Sequence, residues 1–84
     1  MLALQALGLA VRKRRQSLGI SQEVLAAKSG LHRTYVSDIE RGARNPSWTI
    51  LLRLASGLET SLAALQDDAA GSKSRSRGKK VPSE

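Results

Sequence analysis

A chain of 84 residues has room for one small domain, and without cysteine it must fold on packed apolar side chains rather than on disulfides or thiolate metal sites. The formal net charge is +7, of which residues 69–84 carry +4 and residues 1–68 only +3; such an excess points to a polyanionic partner, most often nucleic acid. With a single His, no paired carboxylates on one helix face and no Gly-rich phosphate loop, the sequence offers no catalytic set and no metal-ligand cluster, so neither an enzyme, a cofactor nor a small-molecule substrate is expected. The basic run Arg12-Lys13-Arg14-Arg15 follows the apolar first eleven residues instead of preceding them, the wrong order for a secretory signal, and no stretch is long enough to span a bilayer. A cytoplasmic, nucleoid-associated protein with no membrane partner is the expectation.

Leu and Ala dominate the apolar residues and Phe is absent, which favours an all-α domain. In chain order, Leu4, Leu7, Val11, Arg15 and Leu18 recur at helical spacing, and Gly19 stands where such a helix ends. Ser21 is a good N-cap for a second helix, with Glu23 in its first turn; Val24 to Ala27 carry it to Ser29, and Gly30 ends it. A third helix runs from about His32 to Arg41, with Val36, Ile39 and Glu40 as its inward stripe. After the loop Ala43-Arg44-Asn45-Pro46, Ser47 caps a fourth helix whose apolar face is read as Trp48, Leu51, Leu52 and Ala55. Ser61 caps a short fifth helix with Leu62 and Leu65 inward. From Ala69 onward Gly, Ser, Lys and Arg replace all apolar periodicity, so residues 69–84 read as a disordered basic tail behind a folded domain of residues 1–68.

Two details stand out. Only Gly30 and Leu31 separate the second helix from the third, a sharp turn of the sort by which one helix braces another into a major groove. Arg15 and Glu40, charges of opposite sign, each fall on an apolar stripe. Either they snorkel to solvent or they pair with one another, and a salt bridge between the first and third helices resolves both burials at once.

The segments Ser21-Gln22-Glu23-Val24-Leu25-Ala26, Ser29-Gly30-Leu31, Tyr35-Val36-Ser37-Asp38-Ile39-Glu40-Arg41-Gly42 and Arg44-Asn45-Pro46-Ser47 together resemble the Cro/lambda-repressor-like (XRE) helix-turn-helix family, from about Val11 to Leu65. Within it they are most similar to restriction–modification controller proteins and phage-type repressors. The resemblance implies a compact five-helix domain, with its helix-turn-helix over about residues 21–41, that binds a pseudo-palindromic operator in double-stranded DNA as a homodimer and regulates transcription. It places a buried Arg–Glu pair at Arg15 and Glu40. It implies a phosphate grip at Gln22, phosphate contacts at Arg41, Arg44 and Asn45, and base reading by Arg33, Thr34, Tyr35, Ser37 and Asp38. An antitoxin on the same fold, binding a toxin partner and repressing its own operon, is the alternative.

The chemistry of these residues agrees with those roles. Arg33, in the first turn, can offer a bidentate donor pair to guanine O6 and N7, and Thr34 can reach a base edge or a thymine methyl. Ser37 shares their face. Gln22 lies beside the unpaired N–H groups of a helix N-terminus. Asp38 would be repelled by phosphate; it either accepts from a cytosine amino group or holds a neighbouring arginine, and the second is favoured. Tyr35 either packs against the second helix or touches DNA. His32 reads as a first-turn surface residue, Trp48 as core or dimer-adjacent packing, and Arg12, Lys13 and Arg14 as a solvated face. Leu58, Leu62 and Leu65 exceed what one short helix is expected to bury, which assigns them, with the end of the fourth helix, to a two-fold dimer interface.

Overall fold

Five helices and no strand make up the described residues, 3–71, of the computed structural model: α1 (Ala3–Ser17), α2 (Gln22–Ser29), α3 (Arg33–Glu40), α4 (Trp48–Gly57) and α5 (Leu62–Gly71). Three of the starts follow from serine chemistry. The hydroxyls of Ser21, Ser47 and Ser61 accept hydrogen bonds from the backbone N–H groups of Val24, Ile50 and Ala64 at 3.1, 3.3 and 3.0 Å, each satisfying a donor that the helix itself cannot pair. At the end of α2, Gly30 takes φ +70°, a left-handed conformation open to a residue without Cβ, and Leu31 N–H closes back onto the Ala26 carbonyl at 2.8 Å. The chain enters α3 two residues later, with His32 as N-cap and Arg41 as C-cap.

Every helix contributes to one core. Val11 of α1, Leu25 of α2, Val36 and Ile39 of α3, Leu54 of α4, Leu58 just beyond it and Leu65 of α5 are fully enclosed. α5 lies chiefly along α1, α4 lies against α2, and α3 is held between α1 and α2. The third helix is therefore braced from two sides, while its remaining face is open.

Several expectations change. The inward face of α4 is Leu54 and the expected Ala55, with Ile50 and the expected Leu51 half-buried and Leu58 continuing it just beyond the helix; Trp48 is 63% exposed and Leu52 46% exposed. Trp48 opens the helix, ahead of the turn that meets α2, so a stripe counted from it is out of phase. Leu58, Leu62 and Leu65 are 0%, 8% and 0% exposed within the single chain. They complete the protomer's own core where α5 lies along α1, and so offer little surface to the two-fold contact expected of them. Finally, α5 continues through Ala69, which packs on the core, to Gly71, so the helix crosses the boundary placed after residue 68. Most of the expected disordered tail, residues 72–84, lies outside the described residues.

The corner between α4 and α5 is also more built than the sequence suggests. Glu59 takes φ +58°, and Thr60 N–H returns to the Ala55 carbonyl at 3.0 Å. Arg14, read as part of a solvated face, instead donates to the carbonyls of Leu58 and Glu59, both at 2.9 Å, and so satisfies acceptors left open at the end of α4. Lys28 of α2 reaches the Glu59 carboxylate at 2.8 Å and, as its main influence, holds that carboxyl below its usual range.

Where α2 meets α4, Ser29 is 5% exposed, and among the described residues its hydroxyl has no hydrogen-bond partner. It packs against Gly57, where an added Cβ would stand 2.2 Å from Ser29 Oγ. A buried unpaired hydroxyl is a liability, so Ser29→Ala is expected to stabilise the domain by about 1 kcal/mol. Urea denaturation measures this; a loss of similar size would show that the hydroxyl is satisfied in solution.

Candidate nucleic-acid interface

The open face of α3 follows from helical phase. Val36, Ile39 and Glu40 are buried, and opposite them Thr34, Asp38 and Arg41 form a row at i, i+4 and i+7. Arg33 and Thr34 are exposed in the first turn, as is His32 before them; Tyr35, Ser37 and Asp38 are half-buried. The structure thus brings all five candidate base-reading residues onto one short helix, with Arg33 and Thr34 standing farthest into solvent. The loop after α3 adds Arg44 and Asn45, both exposed.

The back of the same helix is fixed by charge. Arg15 of α1 meets Glu40 in a two-pronged contact, Nε to Oε2 at 2.6 Å and Nη2 to Oε1 at 3.0 Å. Its remaining nitrogen, Nη1, donates to the Ile20 carbonyl in the turn before α2 at 3.0 Å. The side chains are 13% and 4% exposed. The hydrogen bond to Glu40 is the main reason that the Arg15 guanidinium is held even more firmly in its charged form. Of the two readings left open by the sequence, pairing rather than snorkelling describes the molecule.

Gln22 joins this pair. Its carboxamide donates from Nε2 to Glu40 Oε1 at 3.0 Å, a tie within the protein that the sequence did not suggest. A primary amide carries two N–H donors, and one remains for another acceptor. α1 and the first residue of α2 therefore converge on the carboxylate of the last residue of α3, and the same Arg15 guanidinium also holds the turn before α2. Gly8 is the steric counterpart, missed in the sequence reading: a Cβ there would stand 2.4 and 2.5 Å from the carbonyl oxygens of Ile39 and Glu40. A glycine inside a helix is itself a signal, because it lowers helix stability and so calls for a packing reason. Here the reason is the close crossing of α1 over the end of α3.

The exposed face carries a second charge cluster. Asp38 Oδ1 accepts from Arg41 Nη2, and Asp38 Oδ2 accepts from Arg44 Nη2 at 3.1 Å. The Arg44 guanidinium carbon also lies 4.4 Å from the centroid of the Tyr35 ring, a cation–π distance. Arg44 first, then Arg41, hold the Asp38 carboxyl below the usual range. The intramolecular role favoured for Asp38 is present, with Arg41 and Arg44 as its partners, and Tyr35 packs on an arginine. Among the described residues no group of three or more His, Cys, Asp or Glu is placed to hold a metal ion, and no helix is long and apolar enough to cross a membrane.

Residues 11–65 match the family model described as helix-turn-helix. The control protein C.SmaI of Serratia marcescens is 47% identical over 55 residues, a stretch that is 66% of this chain and 66% of that protein. Among solved structures, the restriction-modification controller protein C.AhdI from Aeromonas hydrophila superposes with a TM-score of 0.73 at 44% identity, covering 74% of this chain and 94% of that one. The clp gene regulator ClgR from C. glutamicum superposes at 0.82 with 35% identity, over 86% and 92% of the two chains.

Truncating either member of the Arg15–Glu40 pair strands its partner in a nearly closed site. Arg15→Ala and Glu40→Ala are each expected to lower stability by about 3–5 kcal/mol. The double variant should lose much less than the two losses added together, so a double-mutant cycle in urea should show clear coupling. Additive losses would mean that the two charges are solvated independently.

Proposed function

The chain belongs to the helix-turn-helix family, and from that premise we propose that it is a sequence-specific DNA-binding transcriptional regulator of the restriction–modification controller type, with α3 entering the major groove. The observation that carries this reading is the two-faced construction of α3. One face is immobilised by Val36, Ile39 and the Glu40–Arg15 contact, while the other presents Arg33 and Thr34 beyond a two-residue turn. Similarity to C.SmaI and C.AhdI supports the controller assignment; the toxin-binding alternative gains no support from these relatives.

In this reading Arg33 and Thr34 read base edges and Ser37 lies behind them on the same face. Gln22 uses the amide hydrogen not given to Glu40 to grip a phosphate, and Arg41, Arg44 and Asn45 line the adjoining backbone. A regulator of this kind acts on DNA in the cytoplasm, at the nucleoid.

The regulator acts as a homodimer, so that two recognition helices meet an inverted repeat. The dimer surface is not the buried leucine set. Trp48 and Leu52, one turn apart on α4, are the large apolar side chains that the protomer leaves uncovered on that helix, and they fit a two-fold contact. Sedimentation should give a dimer mass for the native chain. Trp48→Lys together with Leu52→Lys should give a folded monomer, since neither side chain belongs to the core. A monomeric native chain at micromolar concentration would contradict this.

Selection of bound sites from random duplex DNA tests the function itself. An enriched inverted repeat is expected, and Arg33→Ala should relax preference at one base pair by about 1–3 kcal/mol, while Gln22→Ala weakens binding to all sequences alike. Recovery of no preferred sequence would leave only a non-specific basic protein.

A further inference from the structure

An acidic side chain on a face that meets phosphates opposes binding unless it has another task. Asp38 stands in the outward row of α3, between Thr34 and Arg41, yet its side chain is only 18% exposed, because arginines cover both carboxylate oxygens. Those arginines, Arg41 and Arg44, are 64% and 46% exposed and are the cations that the end of α3 and its following loop present. Arg44 is held twice, by Asp38 and by the Tyr35 ring. A carboxylate accepting from guanidinium groups has the same hydrogen-bond chemistry as a phosphate doing so. Asp38 is therefore a competitor, built into the protein, for the contacts that backbone phosphates make.

We propose that Asp38 determines specificity by occupying Arg41 and Arg44, withholding them from non-operator DNA and releasing them where a cytosine amino group in the major groove takes their place on its carboxylate. The inference rests on the reading of α3 as the DNA-facing helix. Non-specific attraction comes almost entirely from arginine and lysine at phosphates. On a sequence with no donor opposite Asp38, moving both arginines to phosphate leaves a carboxylate unpaired beside the phosphate backbone. Guanine O6 and N7 and thymine O4 are acceptors and repel it further; adenine sets an N7 acceptor beside its N6 donor, whereas cytosine presents its amino donor with no acceptor of its own and stabilises it best. The exchange is favourable only on a matching site, so the pairing suppresses binding elsewhere more than it suppresses binding there.

The test compares the full chain with Asp38→Asn on two duplexes, the sequence recovered by selection and a scrambled one of equal length. Asn keeps the shape and removes the charge. The scrambled duplex should be bound about tenfold more tightly by the variant. The salt dependence of that binding should steepen by about 0.9 in logarithmic slope for each arginine released, about 1.8 for both. Affinity for the selected sequence should rise less than threefold or fall, and a repeated selection with the variant should lose a cytosine from each half-site. Adding Arg41→Gln and Arg44→Gln to Asp38→Asn should abolish the gain on scrambled DNA. An unchanged ratio between the two duplexes, or a gain that survives removal of both arginines, overturns the proposal. If the native chain selects no sequence at all, the DNA-reading function fails first, and the two failures are thereby distinguished. A circular-dichroism melt matching the native one shows that Asp38→Asn is folded.

Discussion

The contact on which the rest of this molecule depends is the one between the Arg15 guanidinium and the Glu40 carboxylate. It joins the first helix to the last residue of the third across a nearly closed site, and through Arg15 Nη1 and Gln22 Nε2 it also ties in both sides of the α1–α2 turn. A buried ion pair of this kind is not in itself a strong source of stability, since both charges lose their hydration. What it supplies here is direction. An apolar contact tolerates sliding, whereas a two-pronged guanidinium–carboxylate contact has one good geometry. With Gly8 allowing α1 to approach the end of α3 at backbone distance, the pair sets where α3 lies and which way its open face points.

The opposite face of α3 is organised by a second, exposed set of the same chemistry. Asp38, Arg41, Arg44 and Tyr35 form a pre-arranged cluster at the C-terminal end of the helix, while Arg33 and Thr34 stand unencumbered at its N-terminal end. In the proposed reading the two ends differ in what they offer DNA: the first turn presents donors to base edges, and the last turn with its following loop presents two cations that share one acid. Since residues 1–68 are only modestly basic, discrimination has to come from this arrangement rather than from bulk attraction.

Much of this was legible in the sequence because short helices leave strong marks. Ser21, Ser47 and Ser61 announce helix starts, Gly30 announces the turn, and the misplaced charges at positions 15 and 40 announce each other. The inward stripe of α3 is legible because Val36 and Ile39 are the only aliphatic residues of that helix, so its phase is fixed. α4 was misread for the opposite reason. In Trp48-Thr49-Ile50-Leu51-Leu52-Arg53-Leu54-Ala55 nearly every position is apolar, so periodicity does not fix the phase, and only the location of α2 selects Leu54 over Leu52. Leu58, Leu62 and Leu65 looked like a surplus because the area that α1 offers to α5 cannot be counted from sequence. The task of Arg14 was hidden likewise, since its acceptors are carbonyls 44 and 45 residues away. Gln22 was placed near phosphate, but its tie to Glu40 depends on how the α2 N-terminus meets the end of α3.

The central claim, that the face of α3 carrying Arg33, Thr34 and Asp38 is the surface that meets DNA, is tested most directly by amide chemical-shift mapping as the selected duplex is titrated into isotope-labelled protein. The expected result is a contiguous set of large shifts at Gln22, residues 33–38, Arg41, Arg44 and Asn45, with little change at the buried leucines of α5. Shifts concentrated on α4 or α5, with residues 33–38 unmoved, would contradict it.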